Sequence, residues 1–146
     1  MKILKKITST KWLFYVLQWT WGILMNIVGG LAAIVLSCMG KKPELFHNCL
    51  FFKVGKNWGG LNLGMFCIVD KNASHSTYCH ESGHALQNCL WGVLFPFVIG
   101  IPSAIRYWYR IFRIWYFSKK GTAITLKPYS AIWFEHQADE YGTLLY

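Results

Sequence analysis

Acidic residues are scarce in this chain of 146 residues, with six Asp and Glu against fifteen Lys and Arg and a formal net charge of +9. Charge of either sign is missing altogether from Trp12 to Gly40, a stretch long enough to span a bilayer with some tilt. Paired cysteines are missing too. Cys38, Cys49, Cys67, Cys79 and Cys89 form no Cys-x-x-Cys pair, and their odd count and irregular spacing argue against a disulfide framework. They read as small apolar packing residues. Internal repeats, low-complexity tracts and a second domain boundary are also absent, which leaves one domain.

Apolar residues are plentiful, at 54% hydrophobic and 18% aromatic, above an ordinary soluble domain. Residues 1–40 read as an N-terminal membrane anchor, a transmembrane helix preceded by Lys2, Lys5, Lys6 and Lys11. A cleaved signal peptide is the competing reading. The apolar region is too long for one, and it carries Gln18, Asn26 and the tryptophans Trp12, Trp19 and Trp21. Lys41, Lys42, Lys53 and Lys56 follow the run, so lysines flank both ends and charge bias gives no orientation.

Residues 41–146 read as the folded domain, with a hydrophobic or interfacial segment over 90–117. Leu90 to Ile105 is short for a span and contains Pro96 and Pro102, which favours a buried or re-entrant hairpin or a segment lying in the interface. Arg106, Arg110 and Arg113 then recur at helical spacing among Tyr107, Trp108, Tyr109, Phe112, Trp115, Tyr116 and Phe117. That pattern predicts a membrane-surface helix, cations at headgroup level and rings below. The same basic and aromatic mixture has a nucleic-acid reading, but scattered lysines beside an apolar span make a lipid bilayer the simpler partner.

Residues 45–70 read as extended. The Phe- and Val-rich run Cys49 to Val54, a Gly- and Asn-rich turn, and the alternation from Leu61 onward predict a small antiparallel β-hairpin. Ser74 or Ser76 is placed to cap a following helix. The expected fold is mainly α with that hairpin, an α+β class.

The chemistry concentrates in His80-Glu81-Ser82-Gly83-His84. Residues four apart on a helix share a face, so His80 and His84 can aim two imidazoles at one metal ion while Glu81 reaches a water on it. With this composition, chance would produce the pattern about once in 200 chains. A catalytic zinc site needs a third protein ligand and an open fourth position. Glu135 and Asp139, in Trp133-Phe134-Glu135-His136-Gln137-Ala138-Asp139, share a face of a second predicted helix. Glu135 is the candidate third ligand, and Asp139 the carboxylate that accepts a histidine N–H behind the metal. Glu81, Glu135, Asp139 and Glu140 are four of the six acidic residues. Gly83 is expected to admit another element close to the motif helix. His136, Tyr129 and Tyr141 are open candidates for stabilising an oxyanion. Gln87 either lines the cleft or closes the helix's polar face.

These pieces resemble the gluzincin metallopeptidases, in particular the membrane-bound heat-shock and prenyl-protein proteases. They also resemble small bacterial membrane proteins carrying His-Glu-x-Gly-His-x-x-Gln, Ile-Gly-x-Pro-Ser and Trp-x-Glu-x-x-Ala-Asp. Here those segments are His80 to Gln87, Ile99 to Ser103 and Trp133 to Asp139. The resemblance covers residues 75–142 or so. It implies a compact zincin-like helical core, Zn2+ held by His80, His84 and Glu135, Glu81 as base, and Asp139 behind the metal. It also implies an integral membrane protein of the bacterial inner membrane with its site on the cytoplasmic side. An edge strand pairing with an extended substrate follows mostly from the same likeness.

The expected activity is hydrolysis of a peptide or membrane-protein substrate near the bilayer. A structural or sensory zinc site without hydrolysis is the main alternative, and would need a fourth protein ligand such as His136, His75 or Glu140. A third reading is a membrane interaction protein that binds no metal.

Overall fold

The computed structural model describes residues 2–144, as six α-helices and one four-stranded sheet. Helices α1 (Lys2–Ser9), α2 (Lys11–Trp19) and α3 (Ile23–Cys38) come first. The uncharged run expected to form one transmembrane helix is therefore broken, with α2 and α3 bent by 93°. Polar groups inside the run explain the corner. Breaking a helix frees carbonyls that must find donors. The Asn26 side chain donates to Gln18 O at 2.7 Å and Gly22 O at 3.0 Å, and Asn88 donates to Gly22 O at 3.1 Å. Gln18 in turn donates to Ala85 O at 2.9 Å, and its own oxygen accepts from Asn88 at 2.6 Å. Gln18, Asn26 and Asn88 are fully buried. Leu4, Ile7 and Phe14 pack in one core with Phe51, Val69, Tyr78 and Leu86, so the N-terminal helices share the core of the rest of the chain.

The sheet is larger and differently paired than a single antiparallel hairpin. Strands β1 (Glu44–Phe46) and β2 (Cys49–Lys53) form one hairpin, β3 (Gly60–Leu63) and β4 (Phe66–Val69) another, and β2 lies parallel to β4. The order is β1-β2-β4-β3. Burial decides it. Phe51, Phe52, Cys67 and Val69 are buried, so the two nearly continuous apolar strands take the centre and the Gly- and Asn-bearing β3 goes to an edge. The β3–β4 turn is held by Asn62, whose Oδ1 accepts from Gly64 N at 3.0 Å, with Gly64 at φ 77°.

Helix α4 (His75–Trp91) carries the first motif and starts as the sequence predicts, with Ser74 Oγ accepting from Thr77 N. After it come a 3-10 turn (Gly92–Leu94), a π-helical turn beginning at Pro96, and α5 (Ile101–Lys119). Phe95 and Ile99 in this corner are buried against Phe134. No residue of α5 is buried. Among the described residues no single helix is long and apolar enough to cross a membrane. Two bent pairs, α2 with α3 and α4 with α5, have the length and composition of a broken span or re-entrant loop.

Helix α6 (Trp133–Thr143) lies antiparallel against α4 at very close range. A Cβ at Gly83 would stand 1.9 Å from Ala138 O, and one at Gly142 would stand 2.2 Å from Cys79 O. One further turn along, Gln87 donates to Phe134 O at 2.8 Å. Three matched layers thus fix the register of the two helices. Gly83→Ala forces the backbones apart and is expected to cost about 1–3 kcal/mol. Thermal unfolding in detergent checks this, with Ser82→Ala, whose buried hydroxyl has no partner, expected to unfold near the parent temperature.

Candidate metal centre

The α4–α6 register sets Glu135 opposite His84 and Asp139 opposite His80. His80 and His84 stand one turn apart with rings perpendicular and Nε2 atoms 3.1 Å from each other. Asp139 Oδ1 lies 2.7 Å from His80 Nδ1, and Gln87 Oε1 lies 2.7 Å from His84 Nδ1. The Gln87 amide is oriented by its NH2, which donates to Phe134 O and to Gln137 Oε1. Both Nδ1 atoms therefore face acceptors and carry the proton in the neutral rings, leaving both Nε2 lone pairs bare and convergent.

Glu135 completes the group. It is fully buried, with Oε2 3.1 Å from His80 Nε2 and 3.3 Å from His84 Nε2. Ser103 Oγ donates to Glu135 Oε1 at 2.5 Å, whereas buried Oε2 has no hydrogen-bond donor. The three ligand atoms thus outline a triangle with edges of 3.1, 3.1 and 3.3 Å. Tetrahedral zinc with bonds of about 2.0–2.1 Å requires ligand separations of about 3.3–3.4 Å. Two bare imidazole nitrogens and an unpartnered carboxylate oxygen, each held from behind, fit such an ion. Among the described residues this is the one group of His, Cys, Asp or Glu side chains that converges in this way.

The triad lies at the floor of a cleft of about 600 Å³. It is lined by β3 with the loop Asn57–Gly59, by Ser103, Tyr107 and Ile111 of α5, and by Tyr129. Gly59 O accepts from Asp70 N, so alternation along the antiparallel pair turns the backbone N–H and C=O of Gly60 and Asn62 away from β4, toward the open edge. Glu81 also lines the cleft and is buried. Its carboxylate occupies the space a side chain at Gly60 would fill, with Oε1 2.3 Å from an added Cβ. Asn62 Nδ2 donates to Glu81 O at 3.0 Å and ties the edge strand to α4.

Electrostatics follow from these positions. Burial pushes the Glu81 carboxyl up, His80 and His84 oppose it, and Glu135 adds to it, with a net rise. Burial alone would lower His80, but Glu135, Glu81 and Asp139 outweigh it and hold the imidazole at about 9. Burial would raise Glu135, yet the two imidazoles and Ser103 hold it far below the usual carboxylate range.

Of the oxyanion candidates, Tyr129 alone lines the cleft. Its hydroxyl lies 3.1 Å from Ser103 Oγ and donates to Ser103 O, and burial raises its pKa to about 12. Arg106 and Arg110 hold it from behind, donating to the carbonyls of Lys127, Pro128 and Tyr129 and stacking over the ring. His136 is exposed beside Glu140, and Tyr141 packs against the main core. His75 packs against the Phe46 ring, and Cys79 Sγ lies 3.0 Å from His75 O. Gln87 had a sequence signal, being on the His84 face of the same helix. Ser103 closed the Ile-Gly-x-Pro-Ser segment of the resemblance without an assigned role, and Gly60 was read only as part of a turn.

No protein family, curated protein or solved structure matches this chain.

About one divalent ion per chain is expected by elemental analysis of detergent-purified protein, lost in Glu135→Ala. Ser103→Ala and Gln87→Ala are expected to weaken metal binding about 10–100-fold. Because His80 is held at about 9 without metal, it is protonated at pH 7 and its proton competes with the ion. Metal binding is then expected to release a proton and to weaken as pH falls below about 9. Calorimetric titration in buffers of differing ionisation enthalpy measures that release.

Proposed function

We propose that this chain is a membrane-associated, zinc-dependent peptidase of the gluzincin type, with Glu81 as its general base. The observation carrying this reading is the triad His80, His84 and Glu135, with its free side facing a cleft that Glu81 also lines. A zinc ion held there supplies Lewis-acid polarisation of a carbonyl and a lowered pKa for water.

The residues supply the rest. Glu81, raised by burial toward the working pH, takes a proton from the attacking water at its carboxylate and returns it to the leaving nitrogen. The outward N–H and C=O groups of Gly60 and Asn62 hold an extended peptide along β3, independently of its side chains. Tyr129 donates its hydroxyl to the oxygen on which charge develops. Asp139 and Gln87 fix the imidazole tautomers, and Ser103 fixes the Glu135 carboxylate.

Membrane association is supported by apolar surface that nothing among the described residues covers. Leu31, Ile34 and Val35 on α3, and Ile105, Trp108 and Phe112 on α5, are each more than half exposed. Arg113, Lys119 and Lys120 stack over rings of α5, the arrangement of cations at a headgroup boundary. A bacterial inner membrane and a cytoplasmic-facing site rest on the gluzincin likeness alone. A closed, structural zinc site would need a fourth protein ligand. His136 and Glu140 pair with each other on an exposed face, which favours the open, catalytic site.

Glu81→Gln is expected to keep its zinc and lose at least about a hundredfold in turnover of a fluorogenic peptide mixture. His84→Ala is expected to lose both metal and turnover. Equal turnover in the parent and Glu81→Gln overturns Glu81 as the base, whereas zinc bound by the parent with no turnover of any peptide leaves a structural zinc site in its place.

A further inference from the structure

Acidic residues are absent from Ser82 to Phe134, whereas Arg106, Arg110, Arg113, Lys119, Lys120 and Lys127 all fall within that stretch. Most of these cations belong to α5 and its end. Arg106 and Arg110 are committed to the carbonyls of Lys127, Pro128 and Tyr129. The other cations of the helix lie over its own rings, Arg113 over Phe117 at 5.4 Å, Lys119 over Trp115 at 4.5 Å and Lys120 over Tyr116 at 4.5 Å. Among the described residues none of these three pairs with a carboxylate. Their positive potential is left for anions from outside the chain to meet.

The apolar side chains of α5 are ordered with respect to these cations. Ile105, Trp108, Phe112 and Trp115 recur every three or four residues and form one exposed stripe. Lys119 continues that line at the end of the helix, and Arg113 and Lys120 run along its flank. A helix built this way lies in the plane of a membrane interface, with rings among the upper acyl chains and cations at the phosphates. Helix α3 differs, because its exposed Leu31, Ile34 and Val35 stand in a stretch without charge. That surface suits hydrocarbon but cannot choose among headgroups. A second copy of the chain is a poor occupant for α5, since pairing the two faces would bring like charges together with no acidic residue between them.

We propose that α5 docks on the headgroup layer of a bilayer containing anionic phospholipid, with Arg113, Lys119 and Lys120 meeting the phosphates. Membrane association is the reading on which this rests, and the class of lipid and the residues that select it are the addition. Ser103, Tyr107 and Ile111 of the same helix line the cleft, so docking sets the cleft beside the headgroup layer.

Detergent-purified full chain is diluted below the critical micelle concentration into preformed vesicles of phosphatidylcholine, alone or mixed with phosphatidylglycerol, and bound protein is measured by flotation. Partition into the phosphatidylglycerol vesicles is expected to be at least about tenfold stronger, with the advantage shrinking as salt is raised. The double variant Lys119→Gln, Lys120→Gln is expected to lose at least about fivefold of that advantage. Lys5→Gln with Lys6→Gln, the same charge change at exposed positions of α1, is expected to keep it. Arg113→Gln replaces the first pair should that variant fail to fold by circular dichroism. Equal partition into the two vesicle types, or equal loss in both double variants, overturns the proposal and leaves membrane association standing. No partition into either overturns both. A single-stranded oligonucleotide that binds as tightly as the anionic vesicles, and through the same lysines, also overturns it and assigns the basic flank to nucleic acid. Zinc content and peptide turnover are read separately, so the peptidase assignment stands or falls on its own.

Discussion

The near-contact of two helix backbones, Gly83 against Ala138 and Gly142 against Cys79, sets the position of every ligand in the candidate metal centre. Helices normally pack with axes 8–10 Å apart because side chains intervene. Glycines at the crossing remove that spacer, and the short side chains of His84 and Glu135 then reach a common point. The contact also fixes rotation. A slip of one residue would turn each helix by about 100° and carry Glu135 and Asp139 off the histidine face. Ordinary apolar packing tolerates such adjustments more readily than does a carbonyl seated where a Cβ would be.

A second constraint is the cost of polar groups inside so apolar a molecule. Burying an amide without partners costs several kcal/mol at the upper end of estimates, and lipid offers no donors or acceptors in compensation. Gln18, Asn26 and Asn88 meet the demand by binding one another and the carbonyls exposed at the α2–α3 corner. Those bonds join the uncharged N-terminal run to the helix that carries His80 and His84. Bent and stapled in this way, the run acts as part of the domain, and its remaining outward surface is apolar.

Charge in the site is balanced on the same principle. Two bare imidazole nitrogens beside an unpartnered carboxylate oxygen repel one another unless a cation lies between them. At neutral pH a proton on His80 serves that purpose without metal, and a divalent ion serves it better. Among the described residues no lysine or arginine lines the cleft beside these carboxylates, so their negative potential is available to an ion. Arg106 and Arg110 of α5 work at one remove, holding Tyr129 at the cleft.

Periodicity and capping signals in the sequence identified the ingredients and their local spacing. His80, Glu81 and His84 could be placed on one helix, Glu135 and Asp139 on another, and Ser74 at a cap, because helical periodicity and capping are short-range properties. It also marked the amphipathic face of α5. It marked Ser103 only as the end of the Ile-Gly-x-Pro-Ser segment and gave neither Ser103 nor Gly60 a role, because those roles depend on side chains far away in the chain. It misled on the N-terminal run and on the sheet. Hydropathy counts apolar residues but cannot show that Gln18 will reach Ala85 and bend the run. Neighbouring strands suggest a hairpin, whereas burial of Phe51, Phe52, Cys67 and Val69 brings β2 beside β4 and leaves β3 at the edge. That an open strand edge, Ser103, Tyr107, Ile111 and Tyr129 line one cleft, with no lysine or arginine among the described lining residues, was settled by tertiary packing, because these segments meet only through long-range contacts.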